Sequence, residues 1–280
     1  MERTITAKVK GFRTQDGAGV SLVRVLGNKT VKEFDPILML DSFDSTNPAE
    51  YTAGFPMHPH RGIETVSYVY RGKMLHKDSL GNSDMIGDGE VQWMNAGSGI
   101  LHEEQIPKAD RMLGVQLWLN LPAKEKMSPP LYHSIKNEDI TEIEFEGGKL
   151  RLLAGRYQGV EGYMGKHLPL DYYDVHLNPG AVLRIETPAD ESVMAFTLLG
   201  GAYIGGEYVE EKTAVKLSEG ETLELKGGSS TSQILVMKSA PLNEPIAWAG
   251  PIVMNTRQEL DNAFKELQNG TFIKQEMDYK

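Results

Sequence analysis

Strand-length runs of β-branched and aromatic residues, closed by glycine, recur along this chain and confine it to an all-β architecture. The clearest is Ile63-Glu64-Thr65-Val66-Ser67-Tyr68-Val69-Tyr70, ended by Arg71-Gly72. Such side chains pack well on a pleated, half-buried surface. Val20 to Leu26, Ile37 to Leu40, Val91 to Met94, Gly114 to Leu121, Leu150 to Gly155 and Tyr173 to Leu177 repeat the pattern. Each is too short for a solitary helix. Gly27-Asn28-Lys29, Gly81-Asn82-Ser83-Asp84, Gly87-Asp88-Gly89 and Asn95-Ala96-Gly97-Ser98-Gly99 supply turns between them. Asp41 to Gly54 is polar and reads as a loop, and Met74 to Leu80 reads as a strand pairing back on Ile63 to Tyr70. Many short strands with glycine corners indicate a barrel or sandwich.

A faint internal repeat suggests two such barrels in tandem. Ser67-Tyr68-Val69-Tyr70-Arg71-Gly72-Lys73-Met74 is echoed by Ala195-Phe196-Thr197-Leu198-Leu199-Gly200-Gly201-Ala202, and Gly89-Glu90-Val91-Gln92-Trp93 by Gly220-Glu221-Thr222-Leu223-Glu224. The stretch from Pro122 to about Asp139 reads as the connection. The expected division is residues 1–133 for the first domain and 134–280 for the second. Near the end, Thr256 and Glu259 form a capping box. Leu260, Ala263, Phe264 and Leu267 make one apolar helical stripe with Gly270 as its stop. That helix is expected to pack on a barrel, because alone it would be marginal.

Bulk properties narrow the function. Apolar content of 40% and charged content of 24% are those of an ordinary soluble protein. No apolar run approaches a membrane span, and the first residues lack the apolar stretch of a secretory signal. The absence of cysteine removes disulfides, thiolate metal sites and cysteine nucleophiles. These features fit the cytoplasm, which is the expected location. A net charge of -10 argues against direct nucleic-acid binding.

Two short motifs carry the chemistry. His58-Pro59-His60 places two imidazoles one residue apart, and His102-Glu103-Glu104 places an imidazole and a carboxylate with the same gap. In an extended strand, residues i and i+2 share a face. If the two strands lie side by side, His58, His60, His102 and Glu104 converge, and that donor set suits a divalent transition metal. Parity favours Glu104 over Glu103; a bent strand would bring Glu64 into range instead. Arg61 is assigned a structural ion pair ahead of a role in orienting an anion. His76 is expected to face solvent, His133 to lie in the linker, and His167 and His176 to lie in the second half without a paired carboxylate. The second copy lacks the site, since no histidine follows His176.

These motifs resemble the pirin family of the cupin superfamily. The resemblance runs through Phe34-Asp35-Pro36-Ile37-Leu38-Met39-Leu40-Asp41, the stretch His58 to Val66, Gly89 to Met94, Ala96 to His102, Gly114 to Trp118 and Gly250 to Thr256. It implies a bicupin with metal in the N-terminal barrel alone. The implied metal is Fe(II), held by His58, His60, His102 and Glu104, with Mn, Ni, Cu or Zn as other divalent choices. The implied activity is a dioxygenase of the quercetin 2,3-dioxygenase type, acting on a flavonol-like or enolic small molecule, with Glu104 as the candidate base. The family also implies an alternative: an iron-containing, redox-sensitive regulator that binds a transcription factor or metabolic enzyme. A third reading is a zinc-filled or empty cupin without catalysis.

Overall fold

The computed structural model describes residues 1–275. The described residues form strands and one α-helix, Arg257–Gln268, joined by turns, short 3-10 segments and irregular loops. Contacts divide the chain into two compact units. The histidine-bearing unit comprises Arg13–Arg24, Ile37–Lys136 and the described residues from Leu242 on; the second comprises Met1–Phe12, Val25–Pro36 and Asn137–Pro241. The longest segments of the two units meet between Lys136 and Asn137, and the two chain ends depart from linear order. The strand Ile5–Lys10 pairs with Thr213–Leu217 of the second unit. The C-terminal helix packs with the histidine-bearing unit instead of the second one.

In the histidine-bearing unit, a seven-stranded sheet runs in the order Leu131–Ile135, Glu90–Asn95, Ile63–Arg71, Met112–Asn120, Ile37–Ser45, Val20–Leu26, Phe12–Asp16. A four-stranded sheet runs Phe55–His60, Ile100–Gln105, Met74–Asp78, Ser83–Ile86. Val20, Leu22, Phe43, Val69, Met74, Ile86 and Met112 form a core cluster in this unit.

Three expectations are corrected here. Asp41 to Ser45 continues the strand from Ile37, where it pairs with Met112–Asn120, so the loop is shorter than its polar composition suggested. Met74–Asp78 pairs with Ile100–Gln105 and Ser83–Ile86, in the other sheet from Ile63–Arg71. The expected linker contains the strand Leu131–Ile135, which adds an edge to Glu90–Asn95.

The second unit repeats the plan. Its larger sheet places Ser192–Leu199 third, as Ile63–Arg71 stands in the first, in agreement with the first echo. The second echo is shifted: Thr213–Leu217 takes the place of Glu90–Asn95, while Thr222–Gly227 takes that of Ile100–Gln105. The strands standing where the histidine strands stand are therefore Val182–Glu186 and Thr222–Gly227. They pair Leu183 with Leu225 and Ile185 with Leu223, all four buried in the core of that barrel. Apolar side chains fill the space that the first unit gives to polar donors.

The C-terminal segment follows the capping prediction. Thr256 Oγ1 accepts from the Glu259 amide at 3.2 Å, and Glu259 Oε2 accepts from the Thr256 amide at 2.8 Å. Leu260 and Ala263 are buried against Ile252, Met254 and Phe272, with Phe264 and Leu267 at the margin. Gly62 lets this segment approach: its φ is +77°, and a Cβ there would stand 1.9 Å from the Val253 carbonyl oxygen. All three tryptophans, Trp93, Trp118 and Trp248, lie in the histidine-bearing unit, so intrinsic fluorescence reports on it selectively. Thr256→Ala is expected to lower its stability by about 1 kcal/mol, read as a shifted fluorescence midpoint in urea.

Candidate metal centre

Antiparallel pairing brings the two motifs together. Phe55–His60 and Ile100–Gln105 are neighbours, with His58 opposite His102 and His60 opposite Ile100. His58 Nε2 lies 3.0 Å from His60 Nε2 and 3.1 Å from His102 Nε2. Among the described residues, these three histidines form the one group of donors clustered closely enough to hold an ion. His60 and His102 are buried, and His58 is partly accessible.

The hydrogen bonds behind the rings decide which nitrogens face inward. His58 Nδ1 contacts the Pro56 carbonyl oxygen at 2.8 Å, and His60 Nδ1 contacts that of Pro251 at 3.0 Å. A carbonyl can only accept, so both Nδ1 atoms donate. A neutral imidazole has one such proton; the Nε2 atoms are therefore bare lone pairs facing one another. Burial, reinforced by His58, lowers the pKa of His60 to about 3. Burial also holds that of His102 well below its ordinary value, with His60, His58 and His76 adding to the effect. Neutral rings with converging lone pairs repel unless a cation stands among them, so this donor set fits a divalent metal.

Glu104 lies on the same strand as His102 but outside the three-histidine cluster. A bulge between them places Glu104 opposite Phe55. Its Oε1 accepts from Gln92 Nε2 at 2.9 Å and Gln116 Nε2 at 3.0 Å, and its Oε2 accepts from Gln116 Nε2 at 2.9 Å. Gln116 also donates to Ser67 Oγ at 3.1 Å. Glu64 belongs to the other face of the large sheet. It alternates with Thr65 and Ser67, and its partner Trp93 alternates with Gln92.

The other histidines differ from expectation. His76 is fully buried, with Nδ1 3.4 Å from His102 Nδ1 and Nε2 2.8 Å from Asp78 Oδ2. Its ring stacks on Tyr132 at 4.2 Å. The signal for it was present: His76-Lys77-Asp78 has the same one-residue gap as the two motifs. In the second unit, Asp174 and His176 form a pair of that spacing too, with Nε2 2.9 Å from Oδ2, although no other donor joins them in a cluster among the described residues. His133 lies in the edge strand Leu131–Ile135.

The C-terminal segment completes the surroundings of His60. Trp118 meets the His60 ring edge-on at 4.9 Å, and Trp248 lies 5.6 Å from Trp118. Arg61 Nε donates to the Ser98 carbonyl at 2.7 Å, another of its nitrogens donates to that of Phe272 at 2.9 Å, and a third pairs with Glu266 at 2.7 Å. The expected structural ion pair of Arg61 is thus present. Lys126 Nζ ties Gly62, Asn120 and Val253 together from the other side.

Known proteins share this plan. The Pirin family model matches residues 19–119, and the model of the Pirin C-terminal cupin domain matches residues 172–273. A Pseudomonas aeruginosa protein provisionally named a quercetin 2,3-dioxygenase is 40% identical over 93% of this chain and 94% of its own. A pirin-like protein of Caulobacter vibrioides is 40% identical over 96% of this chain and 99% of its own. The crystal structure of a quercetin 2,3-dioxygenase from Acinetobacter baumannii superimposes with a TM-score of 0.89 at 32% identity, covering 97% of this chain and 99% of that one. Two matched domain models, two cupin barrels and near-full-length relatives make this chain a member of the pirin family.

Proposed function

We propose that the chain is a metal-dependent dioxygenase of the quercetin 2,3-dioxygenase type, using Fe(II) and O2 on a flavonol-like or enolic substrate. The observation carrying this reading is the convergence of three buried or half-buried Nε2 atoms whose rings are engaged elsewhere through Nδ1. When bound, the metal would supply Lewis acidity toward an enolic oxygen and electrons for dioxygen chemistry. His58, His60 and His102 would hold it. Glu104 is assigned as fourth ligand and as base for the substrate hydroxyl; its Oε2 accepts one amide where Oε1 accepts two, so Oε2 has more acceptor capacity left for either role. Gln92 and Gln116 orient that carboxylate. Trp118 and Trp248 provide an apolar wall beside His60 that limits water at the site. The choice of iron rests on the family resemblance, and the choice of a flavonol on the names of the relatives.

The test is oxygen uptake with quercetin by protein reconstituted anaerobically with Fe(II), with metal content measured in parallel. The wild type is expected to consume oxygen as the flavonol absorbance falls. His60→Ala is expected to lose metal and at least about 100-fold in rate, more than an outer partner of a ligand is worth. One metal per chain without flavonol-dependent uptake would overturn the dioxygenase reading and turn the search to an oxidation-dependent protein partner.

A further inference from the structure

We infer that Asp78 and His76 form a directed hydrogen-bond chain that sets the tautomer of His102 and so aims its Nε2 lone pair at the metal position. The inference rests on the reading of the three histidines as a metal site. The three Nδ1 atoms have different partners. Those of His58 and His60 are backbone carbonyls, which accept only. The partner of His102 Nδ1 is another imidazole nitrogen, His76 Nδ1. An imidazole nitrogen can donate or accept, so this contact alone leaves the tautomer of His102 undecided.

Asp78 resolves the ambiguity. As a carboxylate it only accepts, so at 2.8 Å the His76 Nε2 must donate to Asp78 Oδ2. A His76 ring carrying one proton then holds it on Nε2, and its Nδ1 becomes an acceptor. His102 Nδ1 must donate to it, and His102 Nε2 is left bare beside the Nε2 of His58. Asp78 is itself anchored: its Oδ1 accepts from the Leu80 and Asn82 amides at 2.9 and 3.1 Å, and its Oδ2 from Asn82 Nδ2 at 2.9 Å. Tyr132 stacks on His76 with planes 13° apart, which fixes the ring that passes the direction along. The strand register builds the chain, since Met74–Asp78 sets Asp78 opposite His102 and His76 opposite Glu104. A ligand imidazole oriented by a second group in this way binds metal about 10–100-fold more tightly than one left unsupported.

Asp78→Asn tests the direction. Its carbonyl oxygen can keep the two backbone amides, and its new N–H group then faces His76 Nε2 and the Asn82 side chain, whose amide turns over to present its oxygen. That reverses His76, whose Nδ1 would donate and push the proton of His102 onto Nε2. Nitrogen-15 NMR of metal-free protein is expected to show His102 as the Nδ1–H form in the wild type and moved toward Nε2–H in Asp78→Asn. His58 and His60, held by carbonyls, should keep the Nδ1–H form. Co(II) affinity, read from its visible absorption, is expected to fall about 10–100-fold. His76→Phe preserves the stack on Tyr132 while removing both nitrogens; it should give His102 as a mixture of forms with a comparable loss of affinity, and it serves if Asp78→Asn folds poorly. An unchanged His102 tautomer in a folded variant, or unchanged Co(II) affinity and spectrum, would overturn the inference. A tautomer that moves as expected in a wild-type background that binds no Co(II) would leave the chain standing and overturn the metal reading instead.

Discussion

Arg61→Ala is expected to destabilise the histidine-bearing unit by about 3 kcal/mol, because it strips donors from two carbonyls and leaves Glu266 with Lys274 alone as its cation. Arg61 is 2% exposed. Its guanidinium serves three directions at once: the turn before Ile100, the chain at Phe272 and the helix at Glu266. It also lies over the Phe272 ring at 4.2 Å. Glu266 is partly exposed, so water recovers some of the loss, and the two carbonyls carry most of the effect. Arg61→Lys should recover only part of it, since an ammonium cannot reproduce a planar fork. Urea titration followed by tryptophan fluorescence measures this in the relevant unit alone. A second effect follows from the same geometry. Arg61 binds down the segment that presents the Pro251 carbonyl to His60, so Arg61→Ala should also weaken Co(II) binding. A stability loss below about 1 kcal/mol, the worth of one ordinary hydrogen bond, would show that the three contacts do not act together.

That dependence of the centre on the C-terminal segment was not legible in the sequence. The period-two spacing of His58, His60 and His102 is local, so parity alone identified which side chains share a face. The helix stripe and its capping box were legible for the same reason. Pairing is not local. Gly72-Lys73 looks like a hairpin corner, but the strand after it crosses to the other sheet, and only there does His76 meet His102. Parity chose Glu104 as the partner of His102, yet could not see the bulge that follows His102 or the glutamines that hold the carboxylate. Chain order likewise assigned the helix to the second domain, because nothing in its own residues names the surface it covers. The second echo was misaligned because glycine-glutamate corners recur, whereas sheet position does not depend on them.

Glu64→Gln is expected to stabilise the histidine-bearing unit by about 3 kcal/mol above pH 7 and by little at pH 4.5. Glu64 is 1% exposed, its Oε2 has no hydrogen-bond partner, and burial raises its pKa from 4.5 to about 7, with the polar edge of Trp93 offsetting part of the rise. The sign follows from linkage. Below pH 4.5 the carboxyl is protonated in both the folded and unfolded chain, and its full contribution is present. Between 4.5 and about 7 the unfolded chain ionises while the folded one keeps its proton, so stability falls as pH rises. Above about 7 both are ionised and the loss is complete. Glutamine keeps the shape and has no charge to bury. His60 acts oppositely in the same window: its lowered pKa gives stability that is present above 6.5 and lost as pH falls. That contribution is common to both proteins and cancels in the difference between them. Fluorescence-monitored urea titrations at pH 4.5 and 8 should therefore show the two midpoints separating as pH rises. Parallel curves would mean that Glu64 is hydrated or paired in solution. Co(II) affinity provides the second readout: Glu64 faces away from the histidines, so the substitution should leave affinity unchanged. A fall in affinity would return Glu64 to the ligand set that parity had left open.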